Sequence, residues 1–193
     1  GDTTAAEAGR MTLNPLAHIE PLGFLMMLVA PVGWAKPVPV NSYLYRPDVS
    51  MQKGNVIVSV SGPLSNLLIS CIVYFLLTIL SFVSIPQSAG GLNAFRTAIL
   101  LLQLFYWLNL NLAVFNLLPI PPLDGFNLIG QFLPQKAYNF LTKNSRWFFL
   151  AIVVSAFVAP QIIGNVLSVL RIPLSFVVEI PGKLLRLILA HFM

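Results

Sequence analysis

Hydrophobic positions along this chain form long runs rather than the periodic stripes of a soluble domain. Residues 54–85 contain no charged side chain, and residues 92–118 contain only Arg96, near the start of the run. Each run exceeds the roughly 20 apolar residues that a helix needs to cross a bilayer. Both runs are therefore predicted to be transmembrane helices.

Two further apolar runs follow. Residues 145–172 are interrupted by Ala159-Pro160 and by Gly164, which predicts a span with a kink or a break between two half-helices. Residues 173–193 also carry three charged side chains, Glu179, Lys183 and Arg186. That last stretch fits a fourth span or an amphipathic helix on the membrane surface.

The stretch 21–41 has a different pattern. Residues 21–34 are apolar but too short for a comfortable span, and the following prolines alternate with valine in Lys-Pro-Val-Pro-Val-Asn. Proline in this pattern favours extended backbone, so we predict a short membrane segment that leads into a re-entrant extended loop. The edge of such a loop can accept an extended peptide as an added strand. The alternative is an ordinary interfacial loop anchored by Trp34.

Composition supports a membrane protein. Hydrophobic residues make up 57% of the 193 residues and charged residues only 9%, against roughly 25% charged in a soluble domain. The mean hydropathy is +0.83. We predict an all-α polytopic membrane protein with about four transmembrane helices plus the re-entrant extended loop, in which residues 1–193 form a single membrane-embedded domain. The lone Cys71 excludes an internal disulfide and a four-cysteine zinc site.

Basic residues predict the orientation. Six of them flank the first two long runs on the same side of the predicted membrane: Lys36, Arg46, Lys53, Lys136, Lys143 and Arg146. The connection 86–91 on the other side has none. By the positive-inside tendency the basic side is cytoplasmic. Attraction to anionic lipid accounts for the pI of about 9.7 without a nucleic-acid partner.

One carboxylate follows the second long run, where an acidic group is costly. Asp124 lies in Asn-Leu-Leu-Pro-Ile-Pro-Pro-Leu-Asp-Gly, residues 116–125. A carboxylate near lipid depth has to be paired, hydrated or bound to a metal. The prolines before it force irregular backbone, which is tolerated there only within protein or beside a wet cavity. Asp124 is therefore predicted to be a metal ligand, a proton carrier, an ion-pair partner or the N-cap of the next helix.

Asparagines supply other polar groups at this depth. Asn116 stands eight residues before the carboxylate. Its amide can donate to an oxyanion or cap the last carbonyls of its helix, and the spacing favours capping. Asn109 and Asn111 are predicted to form hydrogen bonds between helices. Asn66 closes the motif Gly-Pro-Leu-Ser-Asn, which is predicted to pack helices, with a polar contact lining the site as the alternative.

Other candidate chemistry is weak. His18 and Glu20 can reach one metal ion, but a His-x-Glu pair on a loop is poor support for a site, and loop hydrogen bonds are the favoured interpretation. The sequence has no His-Glu-x-x-His, no Gly-x-Ser-x-Gly and no phosphate-binding glycine loop.

Four motifs in this order resemble the site-2 protease family of intramembrane zinc metalloproteases, in its compact bacterial and archaeal branch without a PDZ domain. The motifs occupy residues 9–23, 33–41, 61–66 and 116–125, after an opening Gly-Asp. In that family a His-Glu-x-x-His helix supplies two zinc ligands and the general base. The resemblance implies that this helix is missing from the chain and would end just before Gly1, so the chain alone is expected to bind zinc poorly and to cleave nothing.

The resemblance also implies roles for residues of this chain. Asp124 becomes the third ligand of one zinc ion, and Asn116 becomes a donor to the oxyanion, which reverses the interpretation from spacing alone. Val38, Pro39 and Val40 are expected to pair with an unwound substrate helix, and Asn66 is expected to contribute to substrate binding.

The implied function is cleavage of transmembrane segments of membrane-anchored proteins in a bacterial or archaeal cell membrane. The implied partners are a transmembrane protein substrate and the lipid bilayer. Two alternatives stay open. One is an inactive relative that binds transmembrane partners. The other is a transporter or channel subunit in which Asp124 is an ion site, although the internal repeat typical of that class is not found.

Overall fold

A computed structural model describes residues 1–29 and 33–192, and these residues contain α-helices and two short 3-10 turns but no β-strand. The α-helices are α1 (Thr4–Glu7), α2 (Pro21–Val29), α3 (Met51–Leu80), α4 (Ala89–Asn116), α5 (Asp124–Gly130), α6 (Gln135–Lys143), α7 (Ser145–Val158) and α8 (Pro160–Phe192). The predicted all-α class is confirmed.

The two predicted central spans are α3 and α4. The Ser50 hydroxyl accepts a hydrogen bond from the Lys53 N–H (3.3 Å) at the start of α3, and the Ser88 hydroxyl accepts one from the Gly91 N–H (3.2 Å) at the start of α4. Each serine satisfies an N–H that has no partner within its helix. Both helices are long and apolar enough to cross a membrane, which confirms both predictions.

The third and fourth apolar runs divide at one point only. Ala159, with φ −142° and ψ 60°, separates α7 from α8, which confirms the predicted break at Ala159-Pro160. However, α8 continues through Pro173 and Pro181. The prediction of one segment over 145–172, with another helix beginning at Pro173, is therefore wrong. An apolar helix tolerates an internal proline because neighbouring groups satisfy the carbonyl that proline frees.

Four spans are compatible with these helices. Residues 160–191 of α8 form a third candidate span, and α6 with α7, bent by 59°, form a broken fourth one. Many apolar side chains on the long helices face outward: Leu68, Leu104 and Val169 are 60%, 64% and 65% exposed. Such helices need lipid as part of their surroundings, and the protein is an integral membrane protein.

The predicted segment over 21–41 is helical only in its first part. α2 covers nine residues, and residues 33–41 have no regular secondary structure. Residues 30–32 of this segment lie outside the described residues.

The chain forms two compact units. The first comprises Gly1–Ser59 and Pro119–Gly164, and the second comprises Val60–Leu118 and Asn165–Met193. The assignment of residues 1–193 to a single domain stays a prediction.

The second unit packs around a small core and satisfies most of its charged groups. Val73, Tyr106, Leu110 and Val178 form that core. The Tyr106 hydroxyl donates to Glu179 Oε1 (2.8 Å), and Lys183 Nζ lies 2.9 Å from Glu179 Oε2. These contacts explain how an apolar helix such as α8 accommodates an acid, because charges at this depth require partners.

In the first unit, close contacts hold residues 33–35 in place. The rings of Trp34 and Phe149 meet edge to face with centroids 5.5 Å apart. A Cβ on Gly23 would come within 2.0 Å of the Trp34 carbonyl oxygen, so α2 approaches this loop as only glycine permits.

Candidate functional site

Asp124 is the first residue of α5, and the buried residues on either side of it fix its position. Leu123 and Phe126 are 9% and 4% exposed, and the Phe126 N–H donates to the Leu123 carbonyl (3.1 Å). Leu123 is the N-cap residue, and no side chain caps this helix. The interpretation of Asp124 as an N-cap is therefore wrong.

The Asp124 carboxylate has no partner within the part of the chain that the structure describes. It makes no hydrogen bond and no ion pair there, although its side chain is half-buried. Burial raises the pKa of this carboxyl above its usual range. A half-buried acid without donors or cations is a ligand that a metal ion can use, because the cation would supply the missing positive charge.

The described residues do not form a complete zinc site. Among residues 1–29 and 33–192, no group of three or more His, Cys, Asp or Glu side chains is arranged to hold a metal ion. A catalytic zinc ion takes three protein ligands. The described residues therefore offer Asp124 as one candidate ligand and do not by themselves form the site.

Asn116 is the last residue of α4 and belongs to the second unit. Its side chain is half-buried and makes no hydrogen bond to a described residue, so it does not cap the helix. The final turn is instead closed by the Leu117 N–H, which approaches the Ala113 and Phe115 carbonyls. The Asn116 amide thus keeps two free donors, as an oxyanion contact requires.

The other asparagines of α4 have structural partners. Asn111 Oδ1 accepts a hydrogen bond from Arg171 Nη1 (3.4 Å) on α8, and the same guanidinium lies 4.6 Å from the Trp107 ring centroid. The predicted interhelical bond of Asn111 is confirmed. The same prediction for Asn109 is wrong, because Asn109 Nδ2 donates to the Phe105 carbonyl (2.8 Å) of its own helix.

Asn66 lies on α3 within the second unit. Its side chain is half-buried and makes no hydrogen bond to a described residue, while its carbonyl accepts one from the Ser70 hydroxyl (2.9 Å). Ser70 also contacts the Tyr106 carbonyl on α4 (3.4 Å). Ser70, four residues beyond the motif, thus links α3 to α4, and the Asn66 amide stays available. Helix packing by the motif itself stays a prediction.

Val38, Pro39 and Val40 form the exposed centre of residues 36–41, which we call the pairing segment. The Val38 and Val40 side chains are 53% and 46% exposed. The backbone groups of these three residues make no hydrogen bond within the described structure. An open row of backbone donors and acceptors is what an added strand uses.

Two charged residues hold the pairing segment at its ends, and sequence inspection overlooked both. Arg10 Nη2 and Nη1 donate to the carbonyls of Lys36 (2.7 Å) and Pro37 (2.8 Å). At the far end the Asn41 N–H donates to Asp2 Oδ2 (2.8 Å). The only sequence clue was that Arg10 lies in the motif at residues 9–23 and Asp2 in the Gly-Asp that precedes the motifs.

Asp2 is fixed in turn by α1. Its Oδ1 atom accepts hydrogen bonds from the Thr4 hydroxyl and from the Thr4 N–H (2.9 Å). The hydrogen bond from the Thr4 side chain, followed by those from the Asn41 and Thr4 backbone, holds the pKa of the Asp2 carboxyl below its usual range.

His18 and Glu20 make loop hydrogen bonds, as favoured. His18 Nε2 lies 2.8 Å from the Thr12 carbonyl, which assigns the proton to Nε2 and leaves Nδ1 to accept from Arg10 Nη2 (3.4 Å). Glu20 Oε2 accepts from the Gly23 N–H (2.7 Å) at the start of α2. Neither side chain belongs to a metal-binding group among the residues described.

The predicted site residues thus fall into two sets. Asp124 and the pairing segment belong to the first unit, while Asn116 and Asn66 belong to the second. What the latter two share is a half-buried amide that no described residue satisfies.

Comparison with known proteins gives a consistent result. The profile of peptidase family M50 matches residues 48–159, more than half of the chain. This range includes Asn66, Asn116 and Asp124 but not the pairing segment.

Two curated proteins are similar over most of the chain. One, from Bacillus subtilis (strain 168), is named "Putative zinc metalloprotease YwhC" and is 38% identical over 163 residues, covering 83% of this chain and 70% of the relative. The other, from Mycolicibacterium smegmatis (strain ATCC 700084 / mc(2)155), is named "Putative zinc metalloprotease Rip2" and is 31% identical over 157 residues, covering 80% of this chain and 56% of the relative. No solved structure gives a significant match.

Proposed function

Because this chain belongs to peptidase family M50, the site-2 protease family, we propose that it is part of a zinc metalloprotease that cleaves transmembrane segments of membrane-anchored proteins. The observation that carries the proposal is the Asp124 carboxylate, half-buried and without a hydrogen-bond or charge partner among the described residues. The names of both relatives refer to zinc metalloproteases, which supports the metal.

In this proposal Asp124 is one of three protein ligands of a zinc ion. The other two are histidines outside residues 1–193, since the described chain offers no group of three candidate ligands. A zinc ion in such a site activates a bound water molecule and polarises a carbonyl. The general base likewise comes from the part of the protein that supplies the histidines.

Asn116 is proposed to donate its side-chain amide to the oxyanion that forms when the peptide carbonyl is attacked. Its two N–H groups, which no described residue satisfies, support this role, and the match to the M50 profile includes this residue. A donor aimed at such an oxyanion typically contributes roughly 2.7 to 4 kcal/mol to transition-state stabilisation. Because that charge is absent from the bound substrate, the contribution affects kcat more than binding.

The pairing segment is proposed to bind the substrate as an added strand. A helical substrate hides its carbonyls in its own hydrogen bonds, so cleavage requires an unwound, extended segment. The backbone groups of Val38 and Val40 make no hydrogen bond to a described residue, which supports pairing with such a segment. Asn66 is proposed to contact the substrate through its free amide.

The basic side is proposed to face the cytoplasm of a bacterial or archaeal cell. The six flanking lysines and arginines support this orientation, because cytoplasmic loops are rich in basic residues. The proposed partners are a transmembrane protein substrate and anionic lipid.

Exchange of Asp124 tests the proposal in the full-length protein. Asp124→Asn keeps the shape of the side chain but removes the anionic ligand, so we expect zinc content to fall well below one ion per chain. Cleavage of a panel of single-span apolar peptides with central Asn, Gly or Pro should fall at least about 100-fold. Substitution of residues that only contact a metal ligand already lowers activity by up to about 100-fold. Zinc is measured by elemental mass spectrometry.

Asp48→Asn is the matched control, because Asp48 is exposed and lies in the same family match. It should keep both zinc and cleavage. Full zinc occupancy and unchanged cleavage in Asp124→Asn would show that Asp124 is not a ligand. Loss of cleavage with zinc retained would also contradict the proposed role.

A further inference from the structure

We infer that Arg10 and Asp2 are positioning residues that hold the pairing segment extended, so that its central backbone groups stay open to the substrate. This inference rests on the proposed function of that segment as a substrate-binding edge. Neither residue is placed at the reacting atoms. Both act through the backbone of residues 36–41.

At one end, Arg10 uses two parallel donors on two successive carbonyls, those of Lys36 and Pro37. The planar guanidinium fork matches such an arrangement, whereas the point charge of lysine does not. The Lys36 N–H donates to the His18 carbonyl (2.9 Å), so residue 36 is held through both its backbone groups. This end of the segment is therefore fixed in position and direction.

At the other end, the Asp2 carboxylate accepts the Asn41 N–H with one oxygen and the two Thr4 donors with the other. The acid is thereby tied to the first turn of α1 before it contacts the segment. Both ends are held by residues that lie more than 25 positions away in sequence.

Between these two ends the backbone is free. Residues 38–40 offer the N–H and C=O groups of Val38 and Val40 and the C=O of Pro39, none of them bonded to a described residue. The residues that are bonded, 36, 37 and 41, flank this stretch. The contacts that hold the two ends thus leave the centre available, which is the arrangement that strand addition requires.

The burial of Arg10 supports a positioning role for its contacts with the Lys36 and Pro37 carbonyls. Its side chain is 7% exposed, and its guanidinium contacts two carbonyls and one histidine nitrogen. The only salt bridge in the described chain joins Lys183 to Glu179, so no acid neutralises Arg10, and its Nε is buried without a partner. Burying a cation without a counter-charge costs free energy. In Arg10 this cost accompanies two hydrogen bonds to backbone carbonyls, which we call the clamp.

Residue-resolved amide exchange on the full-length protein tests the inference. In the wild type we expect slow exchange at Lys36 and Asn41 and fast exchange at Val38 and Val40. Arg10→Lys should accelerate exchange at Lys36, and Asp2→Ala should accelerate it at Asn41. Arg146→Lys and Asp48→Ala are the matched controls, because both residues are exposed and neither contacts Arg10, Asp2 or residues 36–41, so all four amides should stay unchanged.

The second readout is substrate binding. An uncleaved single-span peptide should slow exchange at Val38 and Val40 in the wild type and not in Arg10→Lys. In cleavage assays Arg10→Lys should raise KM about tenfold, as expected for the loss of one good hydrogen bond, with kcat within about twofold and zinc content unchanged. Asp2 is less buried than Arg10, so Asp2→Ala tests the same idea at the other end of the segment, and its KM should also rise.

The results distinguish the positioning role of Arg10 and Asp2 from the proposed substrate binding by the pairing segment. Unchanged exchange at Lys36 and Asn41 in both variants would overturn the clamp, and so would faster exchange with an unchanged KM. If the peptide fails to protect Val38 and Val40 in the wild type, the substrate-binding edge itself is wrong, and the inference falls with it. Loss of zinc or kcat without a rise in KM would assign Arg10 to a different function.

Discussion

Asp124 and Asp2 show how surroundings give two similar side chains opposite properties. Asp2 accepts three hydrogen bonds, which hold the pKa of its carboxyl low, while Asp124 accepts none from described residues and burial raises the pKa of its carboxyl. The first residue has a structural task that its partners reveal. The second has oxygen atoms without a partner among the described residues, which is why we propose it as a metal ligand.

Asn116→Ala in the full-length protein tests the oxyanion role at the level of one residue. Loss of the donor should lower kcat about 10²- to 10³-fold, because the contact forms only in the transition state. KM and zinc content should change little. The measurement is steady-state cleavage of the single-span peptides together with metal analysis.

Asn93→Ala provides the control for that experiment, since Asn93 is exposed on the same helix. A kcat of Asn116→Ala equal to that of the control would rule out the oxyanion role. A large rise in KM with kcat unchanged would instead assign Asn116 to substrate binding.

At the scale of elements, α8 depends on close contact with its neighbour. A Cβ on Gly182 would come within 2.7 Å of the Thr78 hydroxyl and of the Tyr74 ring, both on α3. Gly164, earlier on the same helix, has no such atom within 4 Å. Membrane helices associate through small residues that allow backbones to approach, so Gly182 is such a contact point and Gly164 is not.

Gly182→Ala should therefore destabilise the protein, whereas Gly164→Ala should not. The added methyl at residue 182 has to displace Thr78 or Tyr74, which we expect to lower the free energy of unfolding by about 1–3 kcal/mol. At residue 164 the higher helix propensity of alanine should raise it by at most about 1 kcal/mol. Unfolding in mixed micelles measures both values, and equal effects would contradict the assigned contact.

Sequence predicted the apolar elements better than their limits. The spans α3 and α4 followed from run length, and the break at Ala159-Pro160 followed from proline. Pro173 carries the same signal but lies inside α8, because whether a proline ends a helix depends on what satisfies the freed carbonyl. Asn109 and Asn111 were likewise indistinguishable in sequence, yet only Asn111 faces an arginine on another helix.

At the scale of the whole molecule, the distribution of charge between the apolar helices is the basis of the proposed orientation. The connection between α3 and α4 has no charged residue, while the stretches before α3 and around α6 are basic. The proposed orientation follows from this asymmetry, since basic loops are retained on the cytoplasmic side. In the proposed orientation, the pairing segment and Asp124 lie in or near the cytoplasmic half of the membrane.

Cysteine labelling in intact cells measures that orientation. In a Cys71→Ala background, a membrane-impermeant maleimide should label Gln87→Cys in intact bacteria and Lys143→Cys only after lysis. Both positions are exposed, so accessibility depends on the side of the membrane. The opposite pattern would reverse the orientation and place the basic loops outside.

The amino-acid sequence by itself determined the membrane class, the two central spans and the family. Run length and motif order are local properties, and local sequence contains them in full. Tertiary structure decided which polar groups have partners. It shows that Asp124 and Asn116 do not cap a helix. It also brings Arg10 to the carbonyls of Lys36 and Pro37. Those contacts link residues 26 and 27 positions apart, and only the folded backbone brings such distant donors and acceptors within hydrogen-bond distance.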